Sequence, residues 1–278
     1  MGTSMSGKSQ SGSNPLVPPW AEDGDAVSVS GVDNGGKPIS QDISNGEVQE
    51  QLGGEEPPHI KGPNRFKEAR QAFGKYAKSG TKDDLRKSLR KYSTKSTGRG
   101  KGAAKRLSSG ITAGTGLFGL LSGGSVTTVH GTLNLSDLSG LNTDQAIDKI
   151  AECLTPISAD TDIVRSALNF ALSEAIEDVE DFDDVNFDPE LISKIYHCYL
   201  TDLIFQQVVS DMGEAWLNAE TAVRQIQIEN QLRELVSVIV DEKLEKATNG
   251  NFDGIKQSDI ARIQISAIRE TVDEWEKF

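Results

Sequence analysis

The chain has 278 residues, of which 36% are hydrophobic and 6% aromatic, and its formal net charge is −13. This composition is lean for a protein that packs along its whole length, so we expect part of the chain to be unpacked. The sequence has no apolar run long enough to span a bilayer and no apolar core of a secretory signal near its N-terminus. These features favour a soluble, cytoplasmic protein without a membrane partner.

Charge is divided among three segments. Residues 61–107 contain 16 Lys and Arg against 3 acidic residues, a net charge of +13, whereas residues 1–60 carry −7 and residues 108–278 carry −19. A basic stretch of this density attracts phosphates or acidic protein surfaces, and a solvated helix face is the plainer alternative. We call residues 61–107 the basic segment.

Residues 1–62 are rich in Gly, Ser, Pro and acidic residues and poor in large apolar ones. Such a segment buries too little apolar surface to offset the entropy of ordering, so we expect a long disordered N-terminal tail. Gly2 to Ser9 fit the letters of a phosphate-binding loop, but no strand precedes them and no helix can follow, which argues against nucleotide binding. Asn14 to Trp20 read N-P-L-V-P-P-W, a polyproline-like strip that suits either docking into a groove or a plain linker.

Residues 63–107 predict a basic helical hairpin followed by a linker. Phe73 and Tyr76 belong to an apolar stripe at helical spacing that ends at a Ser-Gly stop signal. Thr81 is suited to cap a second helix, on which Leu85 and Leu89 form the apolar face. The two helices carry most of the positive charge of the basic segment.

Residues 108–141 form a Gly-rich connecting segment. The pattern from Ala103 to Leu121 favours a helix in spite of its four glycines. Each interior glycine costs about 1 kcal/mol relative to alanine, so this helix needs packing partners to form.

Residues 142–278 predict an acidic bundle of at least five helices. Asn142 or Thr143 can cap the first of them, and Asp188-Pro189 is a strong start signal for a later one. A long helical pattern extends from about Glu214 to Ala247 and includes Val223 and Ile226 among its apolar residues, and a last helix follows from about Ser258. The predicted fold class is therefore all-α, with a C-terminal helical bundle preceded by a basic helical hairpin and a disordered tail.

The sequence gives little support for catalysis or metal binding. His59, His130 and His197 are far apart, and the adjacent His197 and Cys198 would point about 100° apart on a helix. Cys153 and Cys198 lie in apolar helical contexts outside any paired-cysteine motif, which fits reduced, buried thiols.

A loop at residues 249–254 is similar to the start of a calcium loop, but Ile260 stands where a glutamate is needed, so a capped turn between helices is the better interpretation. The carboxylates from Glu177 to Glu190 form a solvated acidic loop or an internal partner for the basic segment. We interpret the chain as a non-enzyme without a metal or cofactor.

The order of several motifs resembles the QatB proteins, a subunit of the bacterial QatABCD anti-phage defence systems. The similar pieces are the N-terminal M-G-T-S, N-P-L-V-P-P-W-A-E-D, R-F-K-E-A-R-Q-A-F-G-K-Y-A-K-S-G, L-R-K-S-L-R-K-Y, A-A-K-R-L and L-N-L-S-D-L-S-G-L. The resemblance implies a non-catalytic adaptor or scaffold that works beside a defence ATPase, a TatD-like metal-dependent nuclease and a protein similar to the deazaguanine-synthesis enzyme QueC.

The resemblance also assigns a role to the N-terminus. QueC-like proteins in related immune systems attach a deazaguanine base to the terminal glycine of a partner protein. Loss of Met1 would leave Gly2 with a free α-amine, whose reference pKa is about 8, as the acceptor. Thr3 and Ser4 would fit the mouth of the QueC-like active site. The residues expected to anchor the tail on that enzyme are Pro15, Leu16, Val17, Pro18, Pro19 and Trp20.

The competing interpretation is a nucleic-acid-binding adaptor that uses the basic segment. Its cations would follow a phosphate backbone, and binding would weaken steeply with salt. The aromatic residues of the segment fall on the apolar stripes, which makes base stacking a poor expectation. The candidate phosphate-binding residues are Arg65, Lys67, Arg70, Lys75, Arg86, Lys87, Arg90, Lys91, Lys101, Lys105 and Arg106.

Overall fold

A computed structural model describes residues 65–278 and the backbone of two earlier strands, β1 (Val27–Val32) and β2 (Pro38–Ile43). Apart from these strands, the predicted disordered tail lies outside the described residues. Helices dominate residues 65–278, which confirms the predicted all-α class.

Nine α-helices fall within residues 65–278. They are α1 (Lys67–Ser79), α2 (Lys82–Lys91), α3 (Arg99–Arg106), α4 (Ser108–Leu121), α5 (Thr143–Leu154), α6 (Thr161–Ala175), α7 (Pro189–Met212), α8 (Ala222–Thr248) and α9 (Gln257–Glu274). A π-helical turn, Tyr92–Thr97, joins α2 to α3, and 3-10 turns occupy Gly213–Asn218 and Trp275–Lys277. None of the helices in this part of the chain is long and apolar enough to cross a membrane.

The predicted caps set several helix ends. Thr81 accepts a hydrogen bond from the Asp84 amide at the start of α2, and Asp188 accepts one from the Leu191 amide at the start of α7. Of the two candidates before α5, Asn142 provides the cap, because its side chain accepts from the Gln145 amide. Gly80 ends α1 with a φ of 64°, a left-handed conformation that glycine adopts without strain.

A small antiparallel sheet, in the order β2-β1-β3-β4, was not expected from the sequence. Strands β3 (Ser125–Thr128) and β4 (Gly131–Asn134) form a hairpin in the segment interpreted as a connector, and β1 pairs with β3. Val126 and Leu133 are partners in this hairpin and both are buried. Each of these four-residue strands has one buried residue, which is too short a pattern to predict a hairpin from the sequence.

The Gly-rich helix α4 lies in the core of the molecule. A Cβ atom added at Gly110 would come within 2.5 Å of Leu203 Cδ2, and one added at Gly114 would lie 2.8 Å from Tyr199 Cε1. The absence of side chains at these positions lets Tyr199 donate a hydrogen bond to the Gly110 carbonyl oxygen at 2.6 Å. The packing partners that the sequence required for α4 therefore come from α7 and α9, and Gln264 of α9 donates to the Ile111 carbonyl oxygen.

Helices α1 and α2 form the predicted basic hairpin and pack directly on the bundle. The Phe73 and Trp216 rings lie 4.7 Å apart, centroid to centroid, and the Tyr76 hydroxyl donates to the Ile228 carbonyl oxygen at 2.9 Å. The buried apolar residues of the hairpin, α4 and the bundle form one contiguous core. The apolar stripes of α1 and α2 therefore hold the hairpin on the bundle.

One helix start differs from the prediction. The pattern expected to begin near Glu214 becomes helical only at Ala222, because residues 213–218 form a 3-10 turn that buries Trp216. Val223 and Ile226, which the pattern counted among the apolar residues of the helix, are 77% and 58% exposed. The inward face of α8 instead begins at Ile228.

Candidate functional site

The residues predicted to bind a QueC-like partner lie outside the described part of the chain. They are Gly2, Thr3, Ser4, Pro15, Leu16, Val17, Pro18, Pro19 and Trp20. Their roles stay predictions. The eleven cations of the nucleic-acid-binding interpretation all lie in the described part of the chain.

Those cations divide into two groups by exposure. Seven are exposed on the hairpin and α3, namely Lys67, Arg70, Lys75, Arg86, Lys87, Arg90 and Lys105. Four are partly buried, namely Arg65, Lys91, Lys101 and Arg106. The apolar stripes of α1 and α2 face the bundle, so the hairpin presents a cationic surface on its other side.

Asp211, near the end of α7, gathers three donors from the hairpin side of the molecule. The Arg106 guanidinium lies 2.7 Å from Asp211 Oδ1, and the Tyr92 hydroxyl donates to Oδ2 at 2.7 Å. Arg70 Nε donates to the Asp211 carbonyl oxygen at 2.8 Å. Asp211 is buried, so the bonds from Arg106 and Tyr92 satisfy a carboxylate that would otherwise be costly to remove from water.

Three arginines surround the ring of Phe66. The guanidinium carbons of Arg65, Arg70 and Arg106 lie 5.0, 5.5 and 5.2 Å from the ring centroid. The Phe66 ring also stacks on Tyr92, with centroids 6.1 Å apart and planes inclined by 22°. We call Arg65, Phe66, Arg70, Tyr92, Arg106 and Asp211 the junction cluster.

Burial is the main cause of the pKa shifts in and beside the junction cluster. Burial, followed by the charge of Arg106, lowers the pKa of Arg65 from its ordinary value, and the nearby Asp211 opposes this change. Burial raises the pKa of Asp160, which the charge of Arg106 opposes. Burial also raises the pKa of Tyr92 well above its ordinary value, so Tyr92 remains a hydrogen-bond donor.

Contacts with the end of α9 and the residues after it fix the far side of the hairpin. Arg86 lies over the Phe278 ring, 5.6 Å from its centroid, and Arg99 Nε lies 3.4 Å from Glu276 Oε1. The Tyr92 and Trp275 rings are 6.0 Å apart, centroid to centroid. Arg86, one of the predicted phosphate-binding cations, therefore also contacts the C-terminal residues that hold the hairpin in place.

The described histidines and cysteines have structural surroundings. His130 Nε2 lies 3.1 Å from the Thr155 carbonyl oxygen, and His197 Nε2 lies 3.1 Å from the Ser237 carbonyl oxygen. Burial raises the pKa of both Cys153 and Cys198, which opposes formation of a reactive thiolate.

The turn that is similar to a calcium loop and the acidic segment of the bundle both make local hydrogen bonds. Between residues 65 and 278, no cluster of three or more His, Cys, Asp or Glu residues could hold a metal ion. In the turn at residues 249–254, Asn251 accepts a hydrogen bond from the Asp253 amide, as expected for a capped turn between helices. In the acidic segment at residues 177–190, Asp183 accepts a hydrogen bond from the amide of Gly140, just before the bundle.

The cations of this surface were predictable from the sequence, but the grouping of some of them into the junction cluster was not. Phe66 is one of the aromatic residues of the basic segment, all of which were assigned to the apolar stripes, and Asp211 lies in a helix whose neighbouring residues are mostly apolar. The partners of Asp211 are 105 and 119 residues away in the chain, at Arg106 and Tyr92. A local pattern carries no signal for such pairs.

The fold and surface define an all-α protein that holds a cationic helical hairpin on an acidic body. The family described as Qat anti-phage system associated protein QatB matches residues 98–275. The chain belongs to this family and is therefore a component of an anti-phage defence system. No curated protein and no solved structure matches the chain.

The family match covers α3 to α9 and begins after the hairpin. Of the motifs that suggested the family, A-A-K-R-L and L-N-L-S-D-L-S-G-L lie inside the matched residues. The motifs of the tail and of α1 and α2 lie before them. The family membership therefore rests on the body of the protein.

Proposed function

We propose that this chain is a non-catalytic adaptor of the Qat defence complex and binds a QueC-like partner through its N-terminal tail. Gly2 is the acceptor of a deazaguanine modification, and Asn14 to Trp20 anchor the tail on the partner. The defence ATPase and TatD-like nuclease of the same system are the further partners, and the complex works in the cytoplasm. The observation that carries the proposal is the family membership, taken together with the M-G-T-S start of the sequence.

The position of β1 supports this arrangement. Its backbone pairs with β3, so Val29 is the register partner of Val126 in the body of the protein. Residues 1–26 precede this attachment, and a chain of that length spans at most about 90 Å when extended. Gly2 can therefore reach an active site on a separate protein while the body stays in place.

Mass spectrometry of the N-terminal peptide tests the modification. The full-length chain is co-expressed with the QueC-like protein of the same system, and the proposal predicts a mass increase that matches a deazaguanine group on Gly2. In the Gly2→Leu variant, the larger second residue retains Met1, so the glycine acceptor is lost and no such increase is expected. An unmodified Gly2 under conditions in which defence operates would contradict the proposal.

The alternative is nucleic-acid binding by the cationic surface, favoured by the exposure of Lys67, Lys75 and Lys87 on the hairpin and of Lys105 on α3. Retention of DNA or RNA should then fall steeply as salt rises. Each Lys→Gln change that removes a bond to a phosphate should reduce the slope of log affinity against log salt by about 1. If purified protein shows no salt-sensitive retention, the cationic surface faces an acidic protein instead.

A further inference from the structure

We propose that the junction cluster is a binding site for a phosphate group, held by Arg65, Arg70 and Arg106. The phosphate belongs either to a small polyphosphate or nucleotide or to the end of a nucleic acid. This site is local and saturable, in contrast to binding along the whole cationic surface, and it does not depend on modification of the tail.

The geometry brings three guanidinium groups from separate points of the chain to one ring. Arg65 precedes α1, Arg70 lies within it, and Arg106 ends α3, yet all three lie within 5.5 Å of the Phe66 ring centroid. Guanidinium groups repel one another, so this convergence favours the binding of opposite charge nearby. Tyr92 stacks on the same ring and, through its bond to Asp211, fixes the ring to the bundle.

Of the charges of Arg106 and Asp211, which both act on the pKa of Arg65, the positive charge of Arg106 has a larger effect than the carboxylate of Asp211. The Asp211 carboxylate pairs with Arg106. Asp160 is a second acidic group near Arg106, whose positive charge opposes the rise that burial causes in the pKa of Asp160. Burial and the charge of Arg106 lower the pKa of Arg65 even though Asp211 opposes this change. An added anion would therefore relieve the repulsion among the guanidinium groups.

Two of the arginines retain donors after their bonds to Asp211. A guanidinium has five N–H donors. Arg70 uses Nε for the Asp211 carbonyl oxygen, and Arg106 uses one terminal nitrogen for the Asp211 carboxylate. Among the described residues, the terminal nitrogens of Arg70 have no hydrogen-bond partner. Asp211 therefore orients these two groups while leaving them able to bind a further anion.

A phosphate fits these donors best. Guanidinium groups bind phosphate oxygens in pairs, and a phosphate carries up to two negative charges, which suits a site lined by three arginines. The Phe66 ring is already covered by Tyr92 and the arginines, so a nucleotide base has no ring to stack on here. Recognition should therefore depend on the phosphate, and pyrophosphate should bind about as well as ATP.

Calorimetric titration of the full-length protein with inorganic pyrophosphate tests the site. We expect saturable binding that Arg70→Gln weakens by about tenfold, because a charge-assisted hydrogen bond is lost. The matched control is Lys75→Gln, which removes the same charge from the same helix away from the cluster. Because salt screens this distant charge, Lys75→Gln should weaken pyrophosphate binding by less than about twofold. Arg65→Gln leaves both arginine bonds to Asp211 in place and should weaken binding as Arg70→Gln does, so the test does not depend on the folding of one variant.

Two oligonucleotides distinguish the sources of the phosphate. A short single strand with a 5′-phosphate is compared with the same strand carrying a 5′-hydroxyl. Preference for the phosphorylated strand, lost in Arg70→Gln, assigns the site to a nucleic-acid end, whereas pyrophosphate binding without that preference assigns it to a free polyphosphate. The proposal is overturned if neither probe binds saturably, or if Arg70→Gln and Lys75→Gln weaken binding equally.

Discussion

Asp211 joins the hairpin to the bundle through bonds to Arg70, Tyr92 and Arg106. The bonds from Tyr92 and Arg106 use its carboxylate, while the bond from Arg70 uses its backbone. A change of the side chain therefore affects the first two bonds and leaves the third available. Because the carboxylate is buried, its loss leaves a buried hydroxyl and a half-buried cation without their partner.

The variant Asp211→Asn should lower the free energy of unfolding by about 2 kcal/mol, because the neutral amide cannot pair with the Arg106 charge. Denaturant unfolding followed by circular dichroism measures this change. The control Asp259→Asn makes the same substitution in an exposed pair with Arg262, and it should cost less than about 1 kcal/mol. Equal effects of the two substitutions would show that Asp211 does not join the elements as described.

At the scale of single residues, features that depend on neighbours in the chain could be predicted from the sequence. Thr81 and Asp188 were predicted as caps, and both accept the expected amide hydrogen bonds. The junction cluster could not be predicted, because Asp211 and its partners become neighbours only after the hairpin packs on α7. The positive charge of Arg106 was visible in the sequence, but its partner was not.

At the scale of elements, glycine decides how closely the helices approach. Gly100 of α3 faces the backbone of α9, where an added Cβ atom would lie 2.8 Å from both the Cα and carbonyl carbon of Arg269. The Gly100 amide also donates to Asp273 Oδ1 at 2.8 Å. A backbone cannot rotate away as a side chain can, so this close approach fixes the residue type.

The variant Gly100→Ala should therefore destabilise the protein by about 1–3 kcal/mol, because α3 must move away from α9. Gly74→Ala is the matched control within α1. There the added Cβ atom lies 3.1 Å from the side-chain amide nitrogen of Asn218, which can rotate. With the clash relieved, the higher helix propensity of alanine should leave Gly74→Ala neutral or up to about 1 kcal/mol more stable. Thermal unfolding compares the two, and the account of helix packing fails if Gly100→Ala is as stable as the parent.

The elements themselves were predictable to different degrees. Helices with a clear apolar stripe, such as α1 and α2, follow the pattern of the sequence. The start of α8 did not, because Val223 and Ile226 continue an apolar pattern while lying on the solvent side. The β3–β4 hairpin was missed because its strands are four residues long and depend on pairing rather than on local propensity.

For the whole molecule, the segregated charge of the sequence becomes a cationic hairpin mounted on an acidic body. The hairpin lies before the residues that match the family, yet Phe73, Tyr76 and Leu89 are completely buried in the common core. Deletion of residues 61–107 would remove this part of the core and would disturb the body as well as the surface. Substitution of exposed cations is therefore the sharper test of the hairpin.

The central claim is that the tail, and not the cationic surface, binds the QueC-like partner. Co-purification of that partner should be compared for the full-length chain, a chain lacking residues 1–20, and a Lys75→Gln/Lys87→Gln chain with the tail intact. The account predicts that loss of the tail abolishes co-purification while the double substitution leaves it unchanged. Retention of the QueC-like partner by the chain without its tail would contradict the account.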